Sequence, residues 1–480
     1  MGPEVSYWPM LLERYYDDSL AQASYLIACE RSREAVVFDP NVLATFQTTL
    51  SCHRLKIRYV AESHIHADYL SGGRELARQH KATLLLSAHG GRDWTYVTSP
   101  MDSVRLIRDR DSIIVGMVRI DVMHTPGHTP EHLSFLITDL ATGDRPMGLI
   151  SGDFVFVGDV GRPDLLEKAA KVAGTMESSA RELFASLQRL NALPDYLQIW
   201  PGHGAGSACG KALGAVPSST LGYERLFNPA LQHKDEKSFV QWVLADQPEP
   251  PPYFAIMKQR NRDGWTRVSA TDSAKAVDAT ALRAALDRGE QVVDLRGSRD
   301  YLAAHVPGTI NIPFGNSLVT YAGTVLRYDV PLYLLATSPE QALTVERRLA
   351  LIGMEVHGVA GREALDALMA KHKVPTRIVD AATLSQQLST NGPRLLDVRG
   401  RSEWNSGRLP KARHIYLGDL SAQLSTLSRS EPIVVYCQSG TRSSIAASLL
   451  HRAGFTDVAT FSGGVDAWVK ADLPLEKDDK

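Results

Sequence analysis

Short apolar runs recur through the first half of the chain, each ending in a polar or glycine-containing turn. They are AVVFD from Ala35, IRYVAES from Ile57, TLLLS from Thr83, IIVGMVRIDVMH from Ile113, LSFLIT from Leu133 and LQIWPGH from Leu197. Runs of this kind bounded by turn residues predict buried strands. Between them, GGRELARQH and ESSARELFASLQRL carry the spacing of helices. Strands alternating with helices predict α/β layers, with the loops at strand ends presenting side chains to a shared cleft.

The second half repeats itself. VVDLRGSRDYLAAHVPGTINIP and LLDVRGRSEWNSGRLPKARHI align at Asp294 and Asp397, each in a run ending Asp-x-Arg. Each copy continues with a second apolar run, LYLLA or IVVYC, and a helical pattern. Two such copies predict compact α/β domains with parallel sheets rather than a solenoid. Breaks fall at ADQPEPPPYF with the polar stretch after it, and at KHKVPTRIVDAATL. They divide the chain into segments 1–265, 270–374 and 378–478.

Composition narrows the partners. A chain of 480 residues is too long for one core. A formal net charge of -2 argues against nucleic acid as the main partner. No apolar run reaches the length of a membrane span, and the charges in MGPEVSYWPMLLERYYDD do not suit a signal peptide. Cys29, Cys52, Cys209 and Cys437 are scattered without a CxxC pair, the pattern of free thiols in a reducing cytoplasm.

Histidines and aspartates gather just after the strand ends. Ser-His-Ile-His-Ala-Asp-Tyr carries His64, His66, Asp68 and Tyr69; Thr-Pro-Gly-His carries His128; Ser-Gly-Asp carries Asp153; Pro-Gly-His carries His203. Taken together, four such elements on turns after strands point to a metal, since convergent His and Asp ligands are what a metal requires. In this order they resemble the metallo-β-lactamase superfamily, which implies an αββα sandwich with a metal site at one edge. Two-metal hydrolases of that superfamily carry a histidine where this chain has Tyr69. A phenol is a poor ligand at neutral pH, so a single metal is expected. The sequence here, including GDFVFVGDVGRPDL, resembles the persulfide dioxygenases. That resemblance implies one Fe(II) per chain held by His64, His128 and Asp153, the facial arrangement of non-haem iron oxygenases. His66, Asp68, Tyr69 and His203 would then orient ligands and waters.

Two further residues are candidates near this cleft. Cys209 follows His203 on a Gly- and Ala-rich loop, where Lys211 would favour its thiolate. Arg162, in Gly-Arg-Pro-Asp, is a candidate for holding an anionic substrate.

Cys437 opens Cys-Gln-Ser-Gly-Thr-Arg-Ser, between the strand run IVVY and a helical pattern. Loop N–H groups at a helix start can form an anion nest that favours a thiolate nucleophile. The loop resembles the rhodanese active site. By that resemblance Cys437 and Arg442 are catalytic, and Gln438, Ser439, Gly440, Thr441 and Ser443 bind substrate. The middle copy has Ala336 at the matching place and Pro339, which lacks an N–H. It reads as a degenerate rhodanese copy.

The chain order resembles three-module persulfide dioxygenase–rhodanese fusions. Such a protein would oxidise a low-molecular-weight thiol persulfide (glutathione or another thiol) with O2 to sulfite. It would then pass sulfur through Cys437 to sulfite, giving thiosulfate, in sulfide detoxification. The rivals are a glyoxalase II-like thioester hydrolase fused to a sulfurtransferase, and a non-enzymatic sulfur carrier or sensor. The thiol carrier and any homo-oligomer are left open.

Overall fold

Strand Glu34–Phe38 shows how the first half folds. Val36 and Phe38 enter one apolar cluster, while Ala35 and Val37 enter another on the opposite face. That is the period-2 alternation of a strand buried on both sides. In the computed structural model, which describes residues 10–168, 174–265, 274–390 and 392–477, this strand belongs to a six-stranded sheet. The sheet runs in chain order: Met10–Asp17, Gln22–Cys29, Glu34–Phe38, Lys56–Ala61, Thr83–Ser87, Val104–Ile107. A second six-stranded sheet is ordered Ser219–Thr220, Gln198–Pro201, Gly148–Gly152, Leu133–Asp139, Val118–His124, Ser112–Val115.

The core between the sheets joins Tyr25, Ile27, Val36 and Phe38 to Ile120, Val122, Phe135, Ile137 and Ile150. Helices cover the outer faces. Leu50 and Ala77, on Gln47–Cys52 and Gly73–His80, pack with Leu26 and Val37; Leu183 and Phe239, on Met176–Gln188 and Glu236–Leu244, pack with Leu149 and Ile199. The result is the αββα sandwich. The run IIVGMVRIDVMH, continuous in sequence, folds as two antiparallel strands pairing Val115 with Val118. It turns at Gly116, whose positive φ of 58° suits a tight hairpin. The strands Met10–Asp17 and Gln22–Cys29 escaped the sequence pattern; Gln22–Cys29 is buried throughout yet rich in small and polar residues.

Contacts divide the chain into Met1–Val268 with Leu351–Gly353, and Ser269–Ala350 with Met354–Lys480. The joint expected between 265 and 270 falls mostly outside the described residues, as do residues 1–9. Each repeat builds its own five-stranded sheet. The orders are Lys275–Ala276, Val356–Ala360, Leu332–Leu335, Gln291–Asp294, Ile310–Asn311, and Arg377–Val379, Val458–Phe461, Ile433–Tyr436, Arg394–Asp397, Arg413–His414. The strand order is the same and every pairing is parallel. Each Asp-x-Arg motif closes on itself: Arg296 donates to Asp294 and Arg399 to Asp397 through two guanidinium nitrogens, pinning the chain as it leaves the strand. The repeats share a unit because helix Thr441–Arg452 packs against strand Ile310–Asn311.

His305 gives the second unit a pH dependence. It is 1% exposed, stacks on Tyr301 at 4.3 Å and sits with Nδ1 3.1 Å from the Tyr301 carbonyl. Burial pulls its pKa down from 6.5 to about 4. The folded state therefore holds fewer protons than the unfolded one between these values. The contribution is intact above pH 6.5 and is lost as the pH falls towards 4. His305→Asn keeps the donor to Tyr301 and removes the titration. Urea unfolding at pH 7 and pH 4.5 should show the variant losing less stability than wild type, by on the order of 2 kcal/mol. Equal losses would count against a buried neutral His305.

Candidate metal centre and cysteine loop

Three buried ligand atoms converge at the end of the sandwich. His64 Nε2 lies 3.9 Å and His128 Nε2 3.4 Å from Asp153 Oδ2. Strand ends supply two of the three: His64 follows Lys56–Ala61 and Asp153 follows Gly148–Gly152. Each other donor atom is engaged. His128 Nδ1 donates to the Arg162 carbonyl at 3.0 Å, His64 Nδ1 is 2.9 Å from Ser63 Oγ, and Asp153 Oδ1 accepts from His203 Nδ1 at 2.8 Å. Asp153 Oδ2 is buried with no hydrogen-bond donor. Burial, reinforced by the His66 charge, holds His64 well below the ordinary histidine range, and burial also lowers His128. Two neutral imidazoles facing an orphaned carboxylate oxygen are a donor set that fits one cation, and the three atoms fall within 4.8 Å of one another.

His66 leaves this set. Its Nε2 is 3.1 Å from Asp39 Oδ1 and 3.2 Å from Glu62 Oε2, all buried. Burial opposes its charge, but the two carboxylates prevail and hold it well above the usual range. An imidazolium clamped by two acids has no lone pair to give a metal. Tyr69, also buried, sets its hydroxyl 3.3 Å from Gln22 Nε2 and from the Asp39 carbonyl, and burial keeps the phenol neutral. His203 bridges Asp153 and Asp68, with Nε2 2.7 Å from Asp68 Oδ2. Burial disfavours its charge, yet the flanking carboxylates raise it to about 10, so both ring nitrogens carry protons towards acids.

Two sequence expectations are corrected. Arg162 is 0% exposed, paired in two-pronged fashion with Asp164 and donating to the Ala208 and Pro248 carbonyls. It ties loops together and has no free face for an anionic substrate. Its carbonyl, not its guanidinium, reaches the metal centre, through His128. Cys209 does lie beside the cleft, its sulfur grouped with Asp68 and His203. It is only 2% exposed, however, and burial together with Asp68 and Asp153 pushes its thiol well up. Lys211 gives no thiolate: its ammonium donates to the Trp242 carbonyl and lies 4.6 Å over that ring.

Sequence reading missed the supports. His132 Nε2 accepts from the Asp153 N–H at 3.0 Å, so its proton sits on Nδ1, which donates to Thr125 Oγ1 at 2.8 Å. The Thr125 hydroxyl then reaches Ser134, and Ser134 the Ser151 carbonyl. Glu131 Oε1 accepts from Ile65 N at 2.7 Å, and burial raises that acid to about 7. Asn261, distant in sequence, donates to the carbonyls of His66 and Tyr69, both at 2.7 Å. Gly152 has φ of 52°, and a Cβ there would stand 2.7 Å from His132 Nε2. His132 directly follows Glu131 in the Thr-Pro-Glu-His run after His128, the one local signal available. His132→Ala leaves the Asp153 N–H without its acceptor and Thr125 Oγ1 with only Ser134 of its two side-chain partners. It should cost about 2–4 kcal/mol in unfolding free energy and weaken metal binding about 10–100-fold. Titration with a competing chelator reads the second effect, and unchanged affinity would reduce His132 to packing.

In the second unit, Cys437 follows strand Ile433–Tyr436 and helix Thr441–Arg452 starts at the end of its loop. Gly440 N donates to Cys437 Sγ at 3.1 Å, and the thiol is 3.9 Å from Ser443 Oγ. Val465 N and Asp466 N hold the Cys437 and Gln438 carbonyls from behind. Arg442 is locked to Glu403 by bonds of 2.6 and 2.8 Å. The Gln438 side chain bonds Arg399 and Asp466; Ser439 is exposed. In the middle copy Ala336 stands at the Cys437 place, and Thr337 N donates at 2.7 Å to Gln341 Oε1.

Residues 18–203 match the metallo-beta-lactamase superfamily and residues 380–471 the rhodanese-like domain. A solved metallo-beta-lactamase structure from Staphylococcus aureus is 38% identical, with a TM-score of 0.66, covering 73% of this chain and 99% of its own. Bovine mitochondrial persulfide dioxygenase ETHE1 is 27% identical over 46% of this chain and 76% of its own length. A Synechococcus hydroxyacylglutathione hydrolase is 29% identical over 36% of this chain; the match spans 63% of that relative's length. With a matching fold, a buried His–His–Asp set and a close structural relative covered almost end to end, the chain belongs to the metallo-beta-lactamase superfamily and carries a rhodanese-like domain towards its C-terminus.

Proposed function

We propose that this protein is a non-haem Fe(II) persulfide dioxygenase whose product is passed to a sulfurtransferase in the same chain. The observation that carries the reading is the separation of His64, His128 and Asp153 from a His66 held as a cation by Asp39 and Glu62. Two imidazoles and one carboxylate are the donor set of facial iron oxygenases and leave positions open. The relative named persulfide dioxygenase and the rhodanese-like domain support it.

Bound iron would supply the redox chemistry that joins O2 to the outer sulfur of a persulfide. The balance is R–S–S⁻ + O2 + H2O giving R–SH, SO3²⁻ and H⁺. The chain's own part is to keep His64 and His128 neutral, to fix Asp153 through His203 and His132, and to exclude water by burial. The Cys437 thiolate would take the outer sulfur of a second R–S–S⁻, with R–S⁻ leaving, and would then give that sulfur to sulfite, forming thiosulfate and returning the electron pair to Cys437. The Gly440 N–H favours charge on the Cys437 sulfur.

A two-metal thioester hydrolase is the second reading. The group Asp68, His203 and Cys209 and the hydroxyacylglutathione hydrolase relatives favour it. An oxygen electrode with glutathione persulfide, run on iron-loaded and zinc-loaded protein, separates the two. Oxygen uptake by the iron form alone supports the proposal. Thioester hydrolysis without uptake gives the site to the hydrolase.

A further inference from the structure

The middle copy grips the helix that starts at the Cys437 loop. Asn311, fully buried at the edge of its sheet, spends both amide protons on its own copy, donating to the Asp294 and Arg296 carbonyls at 3.1 and 2.9 Å. Its Oδ1 is thereby aimed outward, and it accepts from Ser444 Oγ at 2.5 Å. The Asn311 backbone N–H donates to Ser448 Oγ at 3.1 Å, one turn further along. At the far end Arg452 donates to the carbonyls of Gly308, Gly289 and Glu290. His414, which holds the matching register position in the C-terminal copy, uses Nε2 on the Arg399 carbonyl at 2.8 Å. The asparagine does that task and keeps an acceptor to spare.

Ser444 directly follows Ser443, whose hydroxyl donates to the Gly440 carbonyl, and Gly440 N points at the Cys437 sulfur. A shift of the helix start therefore moves the loop amides that face the sulfur. The middle copy also approaches from a second side: helix Leu318–Val325 packs on the turn Leu417–Asp419, and its Tyr321 lies within electrostatic reach of Cys437, Arg442 and Glu403.

We propose that the middle copy is a working part of the sulfur-transfer site, with Asn311 as the positioning residue that sets helix 441–452, and hence the Cys437 loop, in register. This rests on the sulfurtransferase reading above. The two polar atoms that Asn311 turns outward, its Oδ1 and its backbone N–H, both end on hydroxyls of that helix one turn apart, so the contact fixes the helix along its axis as well as against the sheet. Loop amides that meet developing charge act on the rate of the step more than on ground-state binding.

The test uses the full chain with thiosulfate as donor and cyanide as acceptor. The Cys437 thiolate attacks the outer sulfur of thiosulfate, whose S–S bond breaks with its electron pair leaving on sulfite. Cyanide then takes that sulfur from the persulfide as thiocyanate, and the pair returns to Cys437. Asn311→Ala and Ser444→Ala should each lower kcat about tenfold with KM for thiosulfate within twofold of wild type. The double variant should fall no further than either single one, because the pair acts as a unit. Ser444→Ala, a small change that adds no bulk, keeps the test available should Asn311→Ala fail to fold. Single-variant kcat within twofold of wild type, or losses that multiply in the double variant, would overturn the inference while leaving sulfur transfer intact. A wild type that forms no thiocyanate would sink both the inference and the sulfurtransferase reading.

Discussion

His64→Ala and Asp153→Ala proteins should each be recovered without iron and show no oxygen uptake with glutathione persulfide. Each change removes one of three converging donor atoms. His66 is held by Asp39 and Glu62, and His203 has both nitrogens engaged with carboxylates. Removing a group that merely orients a ligand already weakens a metal about 10–100-fold, so loss of a direct ligand should exceed that range. The two variants should differ in stability. His64→Ala deletes a neutral ring. Asp153→Ala takes one carboxylate from a buried His203 cation and should cost a further ~3–5 kcal/mol. Metal analysis, oxygen consumption and thermal melting of the same preparations read all three effects. Two tightly bound metals in the wild type, or iron retained in both variants, would overturn the single-iron site and favour the hydrolase.

Cys437→Ser should abolish sulfur transfer to sulfite and leave persulfide-dependent oxygen uptake near the wild-type rate. The nucleophile lies in one unit and the His–His–Asp set in the other, each with its own core. Serine is close in volume, so the loop bonds donated by Gly440 N and Val465 N survive and folding is unaffected. Its hydroxyl lacks the acidity and nucleophilicity of a thiol and forms no persulfide. The product should shift from thiosulfate to sulfite. An unchanged thiosulfate yield, after subtracting the spontaneous reaction of sulfite with persulfide, would remove Cys437 from the chemistry.

The repeat and most strands were legible because apolar runs and turn residues are local signals. AVVFD, TLLLS and LSFLIT lie within strands Glu34–Phe38, Thr83–Ser87 and Leu133–Asp139 or overhang them by one residue. The motif residues were legible for a related reason: His64, His128 and Asp153 must follow strand ends or short turns to reach a common point, Cys437 opens a loop at a strand end of its own, and Gly127, Gly152 and Gly440 mark three of those turns. Gln22–Cys29 was illegible because its burial comes from two neighbouring strands rather than from its own hydrophobicity.

By itself, then, the sequence determined which residue types could meet a metal and which cysteine opens an anion-binding loop. Tertiary structure decided how they divide. Whether a histidine is a neutral ligand or a captive cation depends on the acids packed around it, and Asp39 reaches His66 from the bend after strand Glu34–Phe38. Whether Arg162 binds substrate or braces loops depends on Asp164, Ala208 and Pro248 closing over it. The reach of Asn311 into the Cys437 helix spans the two repeats, and it exists only once their sheets have folded and met. Charge and hydrogen bonding act over a few ångströms in space, and residues far apart in the chain come within that range only through the fold.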